Sequence, residues 1–223
     1  GTLREPAEFL PVAEEAGLMR GVTDFVLHCA CQQLRQWQRS APDLADLHLS
    51  VNLGAQDLRH TDLVARVSRA LVESGLKPGH LTLELTEDIL MDTPALPAAT
   101  AQETLRALRA LGVQLAVDDF GTGYSNLSRL SRLPIDSLKI DRSFVRELRD
   151  GADAEQAAAV IAAIVQLGST LRKAVVAEGI ESAEQVERLR GLGCELGQGF
   201  HLASPLAAGD ATDWLAARGR PLH

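Results

Sequence analysis

Short β-rich runs alternate along the chain with segments whose apolar residues recur every three to four positions. The first such segment, PAEFLPVAEEAG (residues 6–17), is predicted to be a helix closed by a glycine. Val22, Phe25, Val26, Cys29, Leu34 and Trp37 fall near one face of a second helix over 22–37. A turn containing Pro42 and Asp46 leads into a strand at 48–53. Leu63, Val64, Val67 and Leu71 mark the next helix, stopped by Gly75 and Pro78. Strands are predicted at 81–85 and 113–117, separated by a helix that opens at Thr93-Pro94 and buries Leu105, Leu108 and Leu111. Further strands fall at 137–140, 174–177 and 194–196. The long helix between the first two of these, about 154–171, buries Val160, Ile161, Ile164 and Val165. Ser182 and Gln185 form a capping box for the helix that follows 174–177, and Asp210 is placed to cap a last helix carrying Trp214 and Leu215.

Strand followed by helix, repeated, specifies an α/β fold with a parallel sheet and helices outside it. The pattern gives six strand candidates, whereas a closed (β/α)8 barrel has eight. An open doubly wound sheet accommodates six, but it gathers its chemistry at one switch point. Here polar groups follow every strand. No linker, repeat or low-complexity stretch interrupts residues 1–223, so a single domain is expected.

Composition narrows the partners. The 223 residues carry a net charge of −8 and no basic run, which argues against a nucleic-acid duplex. A small anionic substrate is compatible if cations accompany it. Cys29 and Cys31 are two apart and Cys194 is remote, so neither a zinc knuckle nor a redox pair is expected, and buried or half-buried thiols are. The longest apolar run, 157–165, is too short to span a bilayer, and no secretory signal opens the chain. A cytoplasmic location, with no membrane contact from this domain, is the expectation; a piece of a membrane-tethered protein would read the same.

The candidate chemistry lies at the strand ends. Asn52, Glu84 and Asp118 are hard oxygen ligands suited to Mg²⁺, Mn²⁺ or Ca²⁺, and Asp119 stands beside them for a second ion. In a parallel barrel they share one mouth, where several carboxylates repel one another unless a cation sits among them. Two ions about 3.5–4 Å apart suit in-line displacement at a phosphodiester. Lys139 is one of only three lysines among 22 basic residues, a hint that an amine is wanted at that strand end to hold a water or a phosphate oxygen. Glu178 ends the run KAVVAE and is a general-base candidate. Glu181 is placed to orient a neighbour, and Gln198, in GQG, to contact a water or base edge. The stretch DFGTGYSNL reads equally as a mobile loop over the site or as a plain connection.

The motifs VNLGAQDL, LELTED, VDDFGTGYSNL, IDSLKID, AEGIE and QGFHLASP, in this order, resemble the EAL-domain family over essentially the whole chain. The resemblance implies a modified (β/α)8 TIM barrel and hydrolysis of cyclic di-GMP to linear pGpG with Mg²⁺ or Mn²⁺. It assigns Asn52, Glu84 and Asp118 as metal ligands and Asp119 to the second metal. It makes Lys139 the holder of the attacking water, Glu178 the metal-site or general-base glutamate, and Gln198 a pocket residue. Glu87 anchors the DDFG loop, and Asp141 and Glu181 support the substrate site. Family members often pair as homodimers. The family's Glu-Ala-Leu motif, which contributes a further metal ligand, does not occur in the 223 residues. The expectation is therefore a sequence that begins inside a longer domain, with the first two strands outside it and activity reduced or lost in the chain as it stands. A catalytically degenerate receptor that binds cyclic di-GMP without cutting it is the alternative, and a purely structural domain is a third.

Overall fold

The chain runs strand to helix six times in the computed structural model, which describes residues 6–91, 98–123, 127–149 and 151–218. The strands are β1 (Leu49–Asn52), β2 (Leu81–Thr86), β3 (Gln114–Phe120), β4 (Ser137–Ile140), β5 (Ala174–Ala177) and β6 (Leu196–Gly197). The helices are α1 (Pro6–Glu15), α2 (Met19–Ser40), α3 (Ala55–Arg59), α4 (Leu63–Ser74), α5 (Glu87–Met91), α6 (Ala98–Ala110), α7 (Leu127–Leu130), α8 (Arg142–Glu147), α9 (Ala152–Leu171), α10 (Ala183–Gly191) and α11 (Ala208–Arg218). All strand pairs are parallel and lie in chain order, β1 to β6. A doubly wound sheet reverses its order at a switch point; this one never does. It curls into a half-barrel, an incomplete (β/α)8 barrel.

The two faces of the sheet differ in chemistry. Successive strand residues point to opposite faces. The outward row, including Val51, Leu83, Leu115, Val117, Leu138 and Ile140, is buried under the helices and forms the core. On β1 to β4 the inward row is small or polar: Ser50, Thr82, Glu84, Gln114, Ser137 and Lys139 line a concave cavity of about 610 Å³, which Val176 and Leu196 complete from β5 and β6. Apolar burial therefore fixes the outside of the sheet and leaves the inside available for a site.

Most predicted elements are present, with shifted ends. The second helix runs three residues further at each end than predicted, over Met19–Ser40. β3 continues past residue 117 to Phe120 and so takes Asp118 and Asp119 into the strand. The final helix starts at Ala208, so Asp210 lies in its first turn and is not its cap. Cys29 is exposed, contrary to the expectation of a buried thiol; Cys31 and Cys194 are buried. The short helices α3, α5, α7 and α8 have too few residues to show a helical repeat. The Thr93-Pro94 helix start and residues 124–126 of the DFGTGYSNL stretch lie outside the described residues. α9 is long and apolar enough to cross a membrane by length and composition. It packs against α8, β4 and β5, as a barrel helix does.

Candidate active site

β2, β3, β4 and β5 deliver four charged groups to the same end of the half-barrel. Glu84 lies in β2 opposite Asn52 of β1 in register, and Lys139 lies opposite Val176, two residues before Glu178. The Lys139 ammonium sits 2.5 Å from Glu178 Oε1, 2.6 Å from Glu84 Oε2 and 3.1 Å from Asp118 Oδ1. Lys139 and Glu84 are each 5% exposed. Charge-assisted bonds of this kind are far less screened than surface pairs. Asp118 Oδ1 is buried and, although near the ammonium, out of line for a hydrogen bond.

Asp118 and Asp119 are neighbours in a strand and would ordinarily face opposite ways. Here the β3–β4 register shifts between Val117 and Phe120, and Asp119 adopts φ = 53°, a left-handed conformation that Asp tolerates better than most residues. That irregularity brings both carboxylates to one side. Asp118, Asp119 and Glu178 each present an oxygen within 4.8 Å of the others. Hard carboxylate oxygens, one of them buried without a hydrogen bond, fit a divalent cation such as Mg²⁺ or Mn²⁺.

The electrostatics follow from this crowding. Burial alone would lower the pKa of Lys139, but hydrogen bonds from its ammonium to Glu178 and Glu84 outweigh it and hold the pKa above the ordinary lysine value. Burial raises the Glu178 pKa, against the pull of Lys139 and with help from Asp118 and Glu84. Asp119 is raised by burial and by the neighbouring charges of Asp118 and Asp141. Asp141 moves the other way. Burial would raise it, but bonds from the Ser143 hydroxyl and amide dominate, because Asp141 is the N-cap of α8.

The remaining candidates divide. Gln198 Nε2 donates to Glu178 Oε1 at 2.6 Å. The strands that carry them are locked together beyond their ends: the Ile180 amide donates to the Gln198 carbonyl, and His201 N to the Ile180 carbonyl. Gly199 permits this, since a Cβ there would lie 2.2 Å from the Ile180 backbone. Glu87 is 2% exposed and its Oε2 accepts from Gly121 N at 3.0 Å, so it pins the start of the loop after β3. Glu181 pairs at the surface with Arg149, 2.5 Å away, and lines a neighbouring cavity. That cavity, about 620 Å³, opens beside Glu178 and Gln198 and is lined by Arg142, Arg146 and Phe200. Nothing in the sequence pattern singles out these three. Arg142 directly follows Asp141, and Phe200 lies in QGFHLASP, but neither has a spacing signal of its own. Gln185 does more than complete the capping box with Ser182. Buried, it accepts from the Glu181 and Ser182 amides and donates to the Val145 carbonyl, tying the loop after β5 to α8.

Comparison with known proteins agrees with this architecture. The EAL domain family matches residues 1–205. The bifunctional diguanylate cyclase/cyclic di-GMP phosphodiesterase MucR of Pseudomonas aeruginosa is 44% identical over 91% of the chain, which covers 28% of that protein. The cyclic di-GMP phosphodiesterase PA2567 of the same organism is 40% identical over 94% of the chain, covering 34% of its length. The structure of the PaMucR phosphodiesterase in complex with c-di-GMP superposes with a TM-score of 0.84 at 44% identity, covering 92% of this chain and 80% of that one. EAL enzyme Bd1971, bound to cAMP and cyclic di-GMP, superposes with a TM-score of 0.85 at 30% identity, covering 96% of this chain and 56% of that one. The chain belongs to the EAL-domain family. It spans about a quarter to a third of the length of the curated relatives it matches.

Proposed function

We propose that the chain carries the active site of a metal-dependent phosphodiesterase that hydrolyses cyclic di-GMP to linear pGpG. The observation that supports this most is the Lys139 ammonium set among Glu84, Asp118 and Glu178, with Asp119 turned onto the same spot. Asn52, Glu84, Asp118 and Asp119 are the residues that would hold Mg²⁺ or Mn²⁺. Such an ion neutralises phosphate charge and lowers the pKa of bound water.

The chain's own groups divide the remaining work. Lys139 stays charged throughout the physiological range and is therefore no base; it holds the attacking water or a phosphoryl oxygen. Glu178, with its raised pKa, accepts the proton of the water. Attack at phosphorus breaks the P–O3′ bond, the 3′ oxygen takes up a proton, and the product is a linear dinucleotide with a 5′ phosphate. Gln198 holds Glu178 in orientation. The cavity beside them offers Arg142 and Arg146 to phosphate or guanine oxygens and Phe200 as a stacking face, which suits a dinucleotide. Asp141 and Glu181 act at this cavity's edge, Asp141 by capping α8 and so placing Arg142. Glu87 acts through the loop that follows Asp119. The domain is read as cytoplasmic.

The test is chromatography of products after incubation of the full-length protein with cyclic di-GMP and Mn²⁺ or Mg²⁺. The expected result is pGpG, with Glu178→Gln slowing the reaction by about 10²–10⁴-fold. Tight binding with no product in either metal would instead identify a receptor.

A further inference from the structure

We propose that Asp57 is a positioning residue for the candidate site, acting through Asn52, and that Arg66 and Thr23 hold it in place. Asp57 and Arg66 are 2% and 5% exposed, deep under the helices and outside the set of groups used above. A buried ion pair adds little net stability over apolar residues of the same volume. Such a pair acts instead through what it holds in place.

Asp57 lies in α3, directly after the turn that leaves β1. Its Oδ2 accepts from the Gly54 amide at 3.2 Å and from Thr23 Oγ1 at 3.0 Å. Its Oδ1 accepts from both terminal nitrogens of Arg66 at 3.3 Å. Arg66 also donates to Asp24 Oδ1 at 2.5 Å and to the Arg20 carbonyl at 3.2 Å. One carboxylate thus ties α2, α3 and α4 to a single backbone amide, two residues past Asn52. Between them, the Leu53 amide donates to the Glu84 carbonyl at 2.8 Å, and Leu53 itself is buried. The end of β1 is therefore gripped on one side by β2 and on the other by Asp57. Asn52, exposed and opposite Glu84 in register, takes its direction from that grip. Loss of the Asp57 carboxylate frees the turn and lets Asn52 swing away from Glu84.

This inference rests on the proposed metal centre, and the experiment separates the two. Mn²⁺ binding to the full-length protein is followed by electron paramagnetic resonance of the free ion, for wild type, Asp57→Asn, Asn52→Ala and the double variant. Outer groups that orient metal ligands typically change affinity about 10–100-fold, so Asp57→Asn is expected to raise the Kd about tenfold, and Asn52→Ala, which removes the ligand itself, at least as much. The double variant is expected to match Asn52→Ala alone, because coupled residues are not additive. Equal weakening by Asp57→Asn in both backgrounds overturns the proposal.

A second readout needs no metal. The side-chain amide resonances of Asn52 in ¹⁵N-labelled protein are expected to broaden or double in Asp57→Asn and in Thr23→Val. Thr23→Val keeps both charges and serves if Asp57→Asn does not fold. Unchanged resonances overturn the positioning role. Altered resonances with an Mn²⁺ affinity indifferent to Asn52→Ala leave that role standing and remove Asn52 from the metal centre.

Discussion

Lys139 is the residue on which the local electrostatics turn. Three carboxylates surround one ammonium at 2.5–3.1 Å, and removing the ammonium leaves them uncompensated in a buried place. Breaking such a group typically costs about 3–5 kcal/mol, so Lys139→Met is expected to lower the metal-free unfolding free energy by that order, measured in urea. The folded pKa of Lys139 lies above its unfolded value. Its contribution is therefore complete below about pH 10.4 and is lost as pH rises through the folded value. Wild type and Lys139→Met are expected to differ by a constant amount from pH 6 to 9 and to converge only in strong alkali. A Lys139→Met protein as stable as wild type at pH 7 would contradict this. The scarcity of lysine made this residue legible in the sequence. The sharing of its ammonium by three carboxylates was not legible, because it depends on the strand register.

At the scale of single elements, two local devices place the site. Asp141 caps α8, and its folded pKa is depressed by the Ser143 bonds. N-cap removal costs about 0.5–2 kcal/mol, so Asp141→Ala is expected to lose roughly that much at neutral pH. The sign on the acid side is fixed: the stabilisation is present above the unfolded pKa and disappears as pH falls through the depressed one. The gap between the two proteins should close in acid melts. Gly199 is the second device. Gly199→Ala forces a methyl group into the Ile180 backbone, and the bond from Gln198 to Glu178 is expected to be lost. The turnover number should fall more than the KM rises, because Gln198 positions Glu178. Unchanged kinetics would show the contact to be idle. The sequence revealed the helices by their periodicity and the Ser182–Gln185 box, but not the buried face of the second helix, where Phe25 and Val26 are exposed and Leu27 and Cys31 point inward. It did not reveal the shift in β3 that turns Asp118 and Asp119 the same way, because that shift arises from pairing with β4 and has no local signature.

Across the molecule, six parallel strands in chain order settle the choice between a barrel and a doubly wound sheet, which periodicity alone left open. Family motifs identified the candidate residues, and the fold brings Glu84, Asp118, Asp119, Lys139, Glu178 and Gln198 to one mouth. Glu181 pairs with Arg149 at the surface, a contact that the sequence does not encode. A ligand that binds only the folded state at about 100 times its Kd stabilises by roughly 2.7 kcal/mol. Cyclic di-GMP with a divalent cation is therefore expected to raise the Tm by about 5–10 °C for a protein of this size. No shift with either ion would remove the dinucleotide from the site.

The two rows of residues along each strand have a practical consequence. One row anchors the helices, and the other, offset from it by one position, faces the reaction. Because they interleave letter by letter, a mutational library restricted to the inward strand positions other than Glu84 and Lys139 can alter specificity while folding is left intact. The complementary library should erode folding and leave the chemistry of the survivors as it was.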